Sequence, residues 1–339
     1  LIRTAIAGLG WWGKTIVESA EGTELDLVAL TTRSNGQDAR DFAASQGMRV
    51  AADLDELLAA DDIDAIVLAT PHSQHTEQVI AAAQAGKHVF VEKPFALTRA
   101  DAEAAIAAVD AAGVTLGLDY GRRFHPEMTR LREQIGAGEL GTILHVEATM
   151  TGPNGLALAA DAWRADREET PAGGLTPMGV HAIDGMIDLC GSIDTVYCQS
   201  FRRAIAVDAD DTTSMLFRMR EGMSGYLSTM TATGPGFSFQ VFGSAGWVRL
   251  EGKTHVAGAP SEERRMQLFG RCVFQPVKGE ATVWEAERFD VTGAALQAFA
   301  TAVQGGDPFP ITHEEMIHGA AVTEAVIRSA GSGAIERVD

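Results

Sequence analysis

The chain has only three cysteines in 339 residues, Cys190, Cys198 and Cys272, and they form neither a CxxC pair nor a disulfide-dense pattern. That scarcity argues against a disulfide-stapled secreted scaffold and for a reducing compartment, the cytoplasm, with free and mostly buried thiols. Positive charge is also sparse. Against 46 acidic residues stand 27 basic ones, five of them lysine, for a formal net charge of -19. Binding polyanions needs clustered cations, so the composition opposes nucleic acid and anionic membranes as partners. No apolar run reaches the roughly 18 residues that span a bilayer. The first apolar residues lead into a glycine-rich turn rather than a cleavage site.

What is present is an ordinary globular composition, 46% hydrophobic, at a length that suggests about two domains. Ile2 to Ala7 is short and apolar, Lys14 to Ala20 is helical in pattern, and Leu25 to Leu30 is apolar again, which reads as a βαβ unit. The rhythm continues through a helix over Ala39 to Gln46, a buried strand over Asp64 to Thr70, a helix over Glu77 to Ala85 and a strand over His88 to Glu92. A helix over Arg99 to Ala111 and a strand around Val114 to Leu118 follow. Such alternation predicts a parallel Rossmann sheet over residues 1–121. Beyond Tyr120, a helix from Pro126 is followed by strand-like segments: Ile143 to Thr151, Thr195 to Phe201, Thr212 to Met219, Ser224 to Thr231, Phe237 to Phe242 and Trp247 to Glu251. With helices over Val180 to Cys190 and Glu314 to Ser329, residues 122–339 read as an α+β domain with a predominantly antiparallel open sheet.

The first βα turn is Gly8-Leu9-Gly10-Trp11-Trp12-Gly13. Gly8 permits the tight turn, Gly10 lets a pyrophosphate approach the backbone, and Gly13 lets the helix pack closely on the strand. Between a strand and a helix, this pattern predicts binding of a nicotinamide dinucleotide by Gly8, Leu9, Gly10 and Gly13. Trp11 and Trp12 sit in the loop, at least one packing against protein and either able to line the adenosine half. After the second strand, where an acidic residue signals NAD, the chain reads Thr31-Thr32-Arg33-Ser34. No carboxylate is there to repel a phosphate, and Arg33 with Ser34 can hold one. NADP is therefore favoured over NAD, the alternative being that Arg33 is a solvated loop cation.

Thr70-Pro71-His72-Ser73-Gln74-His75 follows a buried strand at the edge where open α/β sheets bind ligands. Two histidines without an acidic or cysteine cluster are too few for a metal site. Thr70, Pro71, His72 and His75 are instead read as cofactor contacts or helix-entry hydrogen bonds. Lys93, in Glu92-Lys93-Pro94, ends the next strand, so its ammonium emerges at the same edge, and Pro94 restricts it to extended geometry.

These segments give the chain its resemblance to the Gfo/Idh/MocA family, named for glucose-fructose oxidoreductase, inositol dehydrogenase and rhizopine-catabolism proteins. The match runs through Ala7-Gly8-Leu9-Gly10, Thr70 to His75, Ala85-Gly86-Lys87-His88-Val89 and Glu92-Lys93-Pro94. It continues through Arg122-Arg123-Phe124-His125-Pro126, Gly173-Gly174, Gly179-Val180-His181-Ala182-Ile183-Asp184 and Ser329 to Gly333, nearly the whole chain. The resemblance implies NAD(P)-dependent hydride transfer between the nicotinamide and a hydroxyl or carbonyl carbon of a small substrate such as a sugar or polyol. It implies Lys93 and His181 as catalytic residues, with the lysine on the substrate oxygen and the histidine as general acid/base. It adds Glu92, Lys93, Arg122, Trp163 and Arg164 to the cofactor's surroundings, and it implies a homodimer or homotetramer. The chain departs from the family at Pro177, where an aspartate usually stands four residues before the histidine, and at Gly121, often asparagine. Both changes remove polar groups, so a non-sugar carbonyl compound or cyclic diol stands as an alternative substrate, and a dinucleotide-sensing protein without catalysis as an alternative function.

Overall fold

The computed structural model describes residues 1–33, 36–256, 258–266 and 268–339. By compactness the chain divides into two units, residues 1–121 with 290–317, and residues 122–289 with 318–339.

In the first unit the strands are β1 (Ile2–Ala7), β2 (Leu25–Thr31), β3 (Arg49–Val50), β4 (Ala65–Leu68), β5 (His88–Val91) and β6 (Leu116–Leu118), and the helices are α1 (Trp11–Ser19), α2 (Gln37–Ser45), α3 (Leu54–Leu58), α4 (His75–Gln84) and α5 (Arg99–Ala112). They form one sheet in the order β3-β2-β1-β4-β5-β6, every pair parallel. This is the doubly wound dinucleotide-binding order, and all its strands deliver their following loops to one edge. The central strands are apolar throughout because both faces are covered; β4, Ala-Ile-Val-Leu, is buried at all four positions. Local signals set the helix ends. Asp53 caps α3 by accepting from the Glu56 N–H, Thr98 caps α5 through the Asp101 N–H, and Gly113 closes α5 in the left-handed conformation.

The second unit contains α6 (Pro126–Gly136), β7 (Ile143–Thr151), α7 (Val180–Cys190), β8 (Ile193–Phe201), β9 (Thr212–Met219), β10 (Ser224–Met230), β11 (Gly236–Gly243), β12 (Gly246–Gly252), α8 (Ser261–Met266), β13 (Phe269–Pro276) and β14 (Thr282–Glu285). After α9 (Val291–Val303) and α10 (His313–Ser332) the chain ends in β15 (Glu336–Arg337). The sheet order is β14-β13-β12-β11-β7-β10-β9-β8-β15. It is antiparallel except where β7 and β10 run parallel. Its strands alternate: in β7, Val146, Ala148 and Met150 are buried, whereas the residues between them are partly exposed.

The sequence reading placed all of 122–339 in one domain, whereas 290–317 group with the first unit. The reason is α9, whose Phe299 packs on Phe90 of β5 with ring centroids 5.6 Å apart.

The second unit contains an ion-pair cluster in which Arg123, Asp184 and Asp188 are buried and Arg132 reaches in from the surface. Arg123 Nη2 donates to Asp184 Oδ1 at 2.6 Å and its Nε to Oδ2 at 3.2 Å, while Arg132 forms a matching pair of bonds to Asp188. Arg123 also lies 3.7 Å from Asp188. The cluster ties α7 to the turn before α6 and to α6 itself. Removing one partner of a buried pair strands the other charge, so Asp184→Ala should cost about 3 kcal/mol of unfolding free energy. A urea midpoint equal to wild type would contradict this.

Candidate active site

The chain leaves β1 at Ala7 and turns at Gly8, whose φ of +100° is strained for any residue with a β-carbon. The Gly8 N–H donates to the Thr31 carbonyl of β2 at 2.9 Å. Substituents on Gly8 or Gly13 would collide with main chain, that of Ala69 or of Gly8 itself, whereas a β-carbon on Gly10 would meet no atom within 4 Å. No side chain caps α1. The space over Gly10 and the uncapped start of a nine-residue helix fit a dinucleotide pyrophosphate, which needs close backbone approach and N–H donors.

Around this turn lie the loops from the other strands. Trp12 donates its indole N–H to Glu92 Oε1, and the main-chain N–H of Lys93 donates to Glu92 Oε2 at 3.2 Å. Trp11, more than a third exposed, meets Trp12 edge-on with centroids 5.3 Å apart. Arg33 is exposed at the end of β2, and Ser34 lies outside the described residues. Thr70 and Pro71 are half-buried, and His72 is buried in the short helical turn that precedes α4. His75 is turned inward instead. Its Nδ1 faces the Pro94 carbonyl at 2.9 Å and its Nε2 the Thr70 carbonyl at 3.1 Å, so it ties two loops of the site together. Burial holds the imidazole down to about 4, against the two carbonyls and the Glu92 charge, which favour the protonated ring. Lys93 is half-buried, and its bond to Pro94 is cis.

The sequence reading missed Asp119, the first residue past β6. Burial, and then the Glu92 carboxylate beside it, push its carboxyl well above the ordinary range, with Lys93 acting in the opposite direction. An acid directly after each of two adjacent strands, at Glu92 and Asp119, was the available signal.

In the second unit, Arg122 is buried with its guanidinium over the Phe237 ring at 4.9 Å, and burial lowers it to about 10. Arg164 stacks on Trp163 at 4.1 Å in the turn Trp163–Ala165. Pro177 lies in a single π-helical turn, Leu175–Gly179, which runs into α7. His181 is the second residue of α7 and half-buried. Such π turns recur at functional sites. Asp184, one turn on, is buried and bound to Arg123. Among the described residues, no group of three or more His, Cys, Asp or Glu side chains could hold a metal ion.

Two family profiles match the chain: "Oxidoreductase family, NAD-binding Rossmann fold" of the GFO/IDH/MocA group over residues 2–120, and "GFO/IDH/MocA C-terminal domain" over residues 128–249. Among curated relatives, scyllo-inositol 2-dehydrogenase (NADP(+)) of Bacillus subtilis is 30% identical over 243 residues, covering 69% of this chain and 72% of that protein. The 4-carboxy-2-hydroxymuconate-6-semialdehyde dehydrogenase of a Sphingobium species is 38% identical over 141 residues, which is 41% of this chain and 44% of that protein's length. The solved aldose-aldose oxidoreductase of Caulobacter crescentus superposes with a TM-score of 0.84 at 23% identity, covering 99% of both chains, and so shares the fold.

Two outcomes are expected from this geometry. Gly10→Ala should keep wild-type stability yet lose dinucleotide affinity, whereas Gly13→Ala should destabilise the fold; equal melting temperatures for the two variants would contradict the assignment. The second concerns pH. His75 is neutral when folded, with its value near 4, and an unfolded histidine titrates near 6.5, so its stabilising contribution is present above about 6.5 and is lost as pH falls toward 4. The shift corresponds to about 3 kcal/mol. Urea midpoints between pH 7 and 4 should fall less steeply in His75→Gln than in wild type; parallel slopes would overturn the reading.

Proposed function

The chain belongs to the Gfo/Idh/MocA oxidoreductase family, and from that premise we propose that it moves a hydride between NADP and the hydroxyl or carbonyl carbon of a small polyol or sugar, with Lys93 and His181 as its catalytic residues. The observation that carries the cofactor reading is the open space over Gly10 beside an uncapped helix start. Gly8, Leu9, Gly10 and Gly13 hold the pyrophosphate. Trp11 and Trp12 flank it, and Trp12 is fixed by Glu92. Exposed Arg33, with no carboxylate near it in sequence to repel a phosphate, supports NADP over NAD. Thr70, Pro71 and His72 line the cofactor's course and His75 anchors their loop, while Arg122, Trp163 and Arg164 are assigned to the cofactor by the family resemblance alone.

Bound there, the nicotinamide supplies the hydride acceptor in oxidation and the donor in reduction. Lys93 holds the substrate oxygen and stabilises negative charge on it. His181 takes the hydroxyl proton as the C–H electron pair leaves the carbon, and returns it in reduction. Holding the reacting carbons in line supplies much of the rate.

Pro177 removes a polar contact from the turn before His181, and the exposed Leu156 belongs to the small apolar stretch of residues 155–160. With the identity to a semialdehyde dehydrogenase, these features favour a non-sugar carbonyl compound as a second substrate class. Tyr197, Leu216 and Tyr226 are registered across β8, β9 and β10, and Leu216 is more than half exposed. That row supports a homodimer or homotetramer built on the open sheet face. Three buried free thiols support a reducing, cytoplasmic location.

Lys93→Met and His181→Ala should each abolish turnover in a screen of polyols, aldoses and semialdehydes while leaving dinucleotide affinity within a few-fold of wild type. Normal turnover in both variants would sink these assignments.

A further inference from the structure

β5 and β6 are neighbouring parallel strands with Val91 registered on Leu118. The first residue past each, Glu92 and Asp119, therefore stand side by side at the carboxyl edge, and both are buried, at 7% and 2% exposure. Gly121 leaves room for the second carboxyl, because a β-carbon there would come within 3.2 Å of Asp119 Oδ1. The two acids are supplied differently. Glu92 accepts the Trp12 indole N–H on one oxygen and the Lys93 main-chain N–H on the other. Asp119 Oδ2 is buried and accepts no hydrogen bond.

Two adjoining carboxylates out of water repel each other, and the Asp119 Oδ2 acceptor is left unmet. One proton on Asp119 cures both faults, since it removes one charge and makes Asp119 a donor to Glu92. We propose that Asp119 is a positioning residue for Lys93: it holds one proton and shares it with Glu92, so that a single negative charge, fixed by Trp12, faces the Lys93 ammonium. Besides Glu92 and Lys93, the charged Asp290 acts on Asp119; it is the N-cap of α9, and its carboxylate accepts from Ser19 Oγ and the Gly293 N–H and adds to the repulsion. Beyond Glu92 lies His75, with His72 next to it. Were both acids ionised, the ammonium would be drawn back between them and away from a substrate oxygen.

The proposal deepens the reading of Lys93 and rests on it, but the proton itself is measured without substrate or cofactor. Infrared difference spectra of wild type against Asp119→Asn should show, at neutral pH, a protonated carboxylic-acid band that the variant lacks. Lys93 supplies a second readout that a merely structural Asp119 would not move. Its trace acetylation, followed by mass spectrometry, should be suppressed in wild type over the pH range where that band disappears. The suppression should be absent in Asp119→Asn, which has no proton to lose. Titration of the wild-type band alone needs no variant to fold. No band at neutral pH, a band that survives the substitution, or coincident labelling curves would overturn the shared proton. A band with inert Lys93→Met effects on turnover would instead overturn the catalytic assignment.

Discussion

The Glu92 carboxylate is the point on which the first unit's site depends. It receives an N–H from Trp12 in the first turn of α1 and another from the Lys93 main chain, and it adjoins Asp119 at the end of the next strand. One buried group thereby holds the start of α1 and the loop after β5, and lies against the loop after β6. Every strand of this sheet is parallel, so all three loops emerge at one edge, and a single side chain can reach them. The residue that fixes Trp12 also fixes the backbone of Lys93.

Much of this was legible in the sequence. The alternation of apolar runs with helical periodicity gave the parallel sheet, and α7 was read at its observed bounds, Val180–Cys190, because its apolar stripe is continuous. Strand β3 has two residues and carries no measurable period, so no pattern could reveal it. The helix α9 was overlooked despite the cap that Asp290 provides to Gly293. Its return to the first unit was not readable at all, since a local pattern says that a face is apolar but not which sheet covers it.

The site shows the same division. The glycine turn and the place of Lys93 are read from local pattern, since a turn of fixed spacing needs glycine and a buried strand delivers the residues just past its end to a known edge. The contacts of His75, Asp119 and Arg123 depend on residues distant in sequence. A buried histidine between two carbonyls, a carboxyl beside a carboxylate and an arginine between two aspartates all look, in sequence, like ordinary polar residues near ligands. Burial is what changes their chemistry.

The central claim, that the glycine turn receives a nicotinamide dinucleotide and that Arg33 favours its phosphorylated form, is tested most directly by titrating the purified protein with NADPH and NADH in parallel and following tryptophan emission. Trp11 and Trp12 border the turn, so the account predicts saturable quenching by both, at lower concentration for NADPH. A preference for NADH would contradict the role of Arg33, and no quenching of the folded protein by either would contradict the site itself.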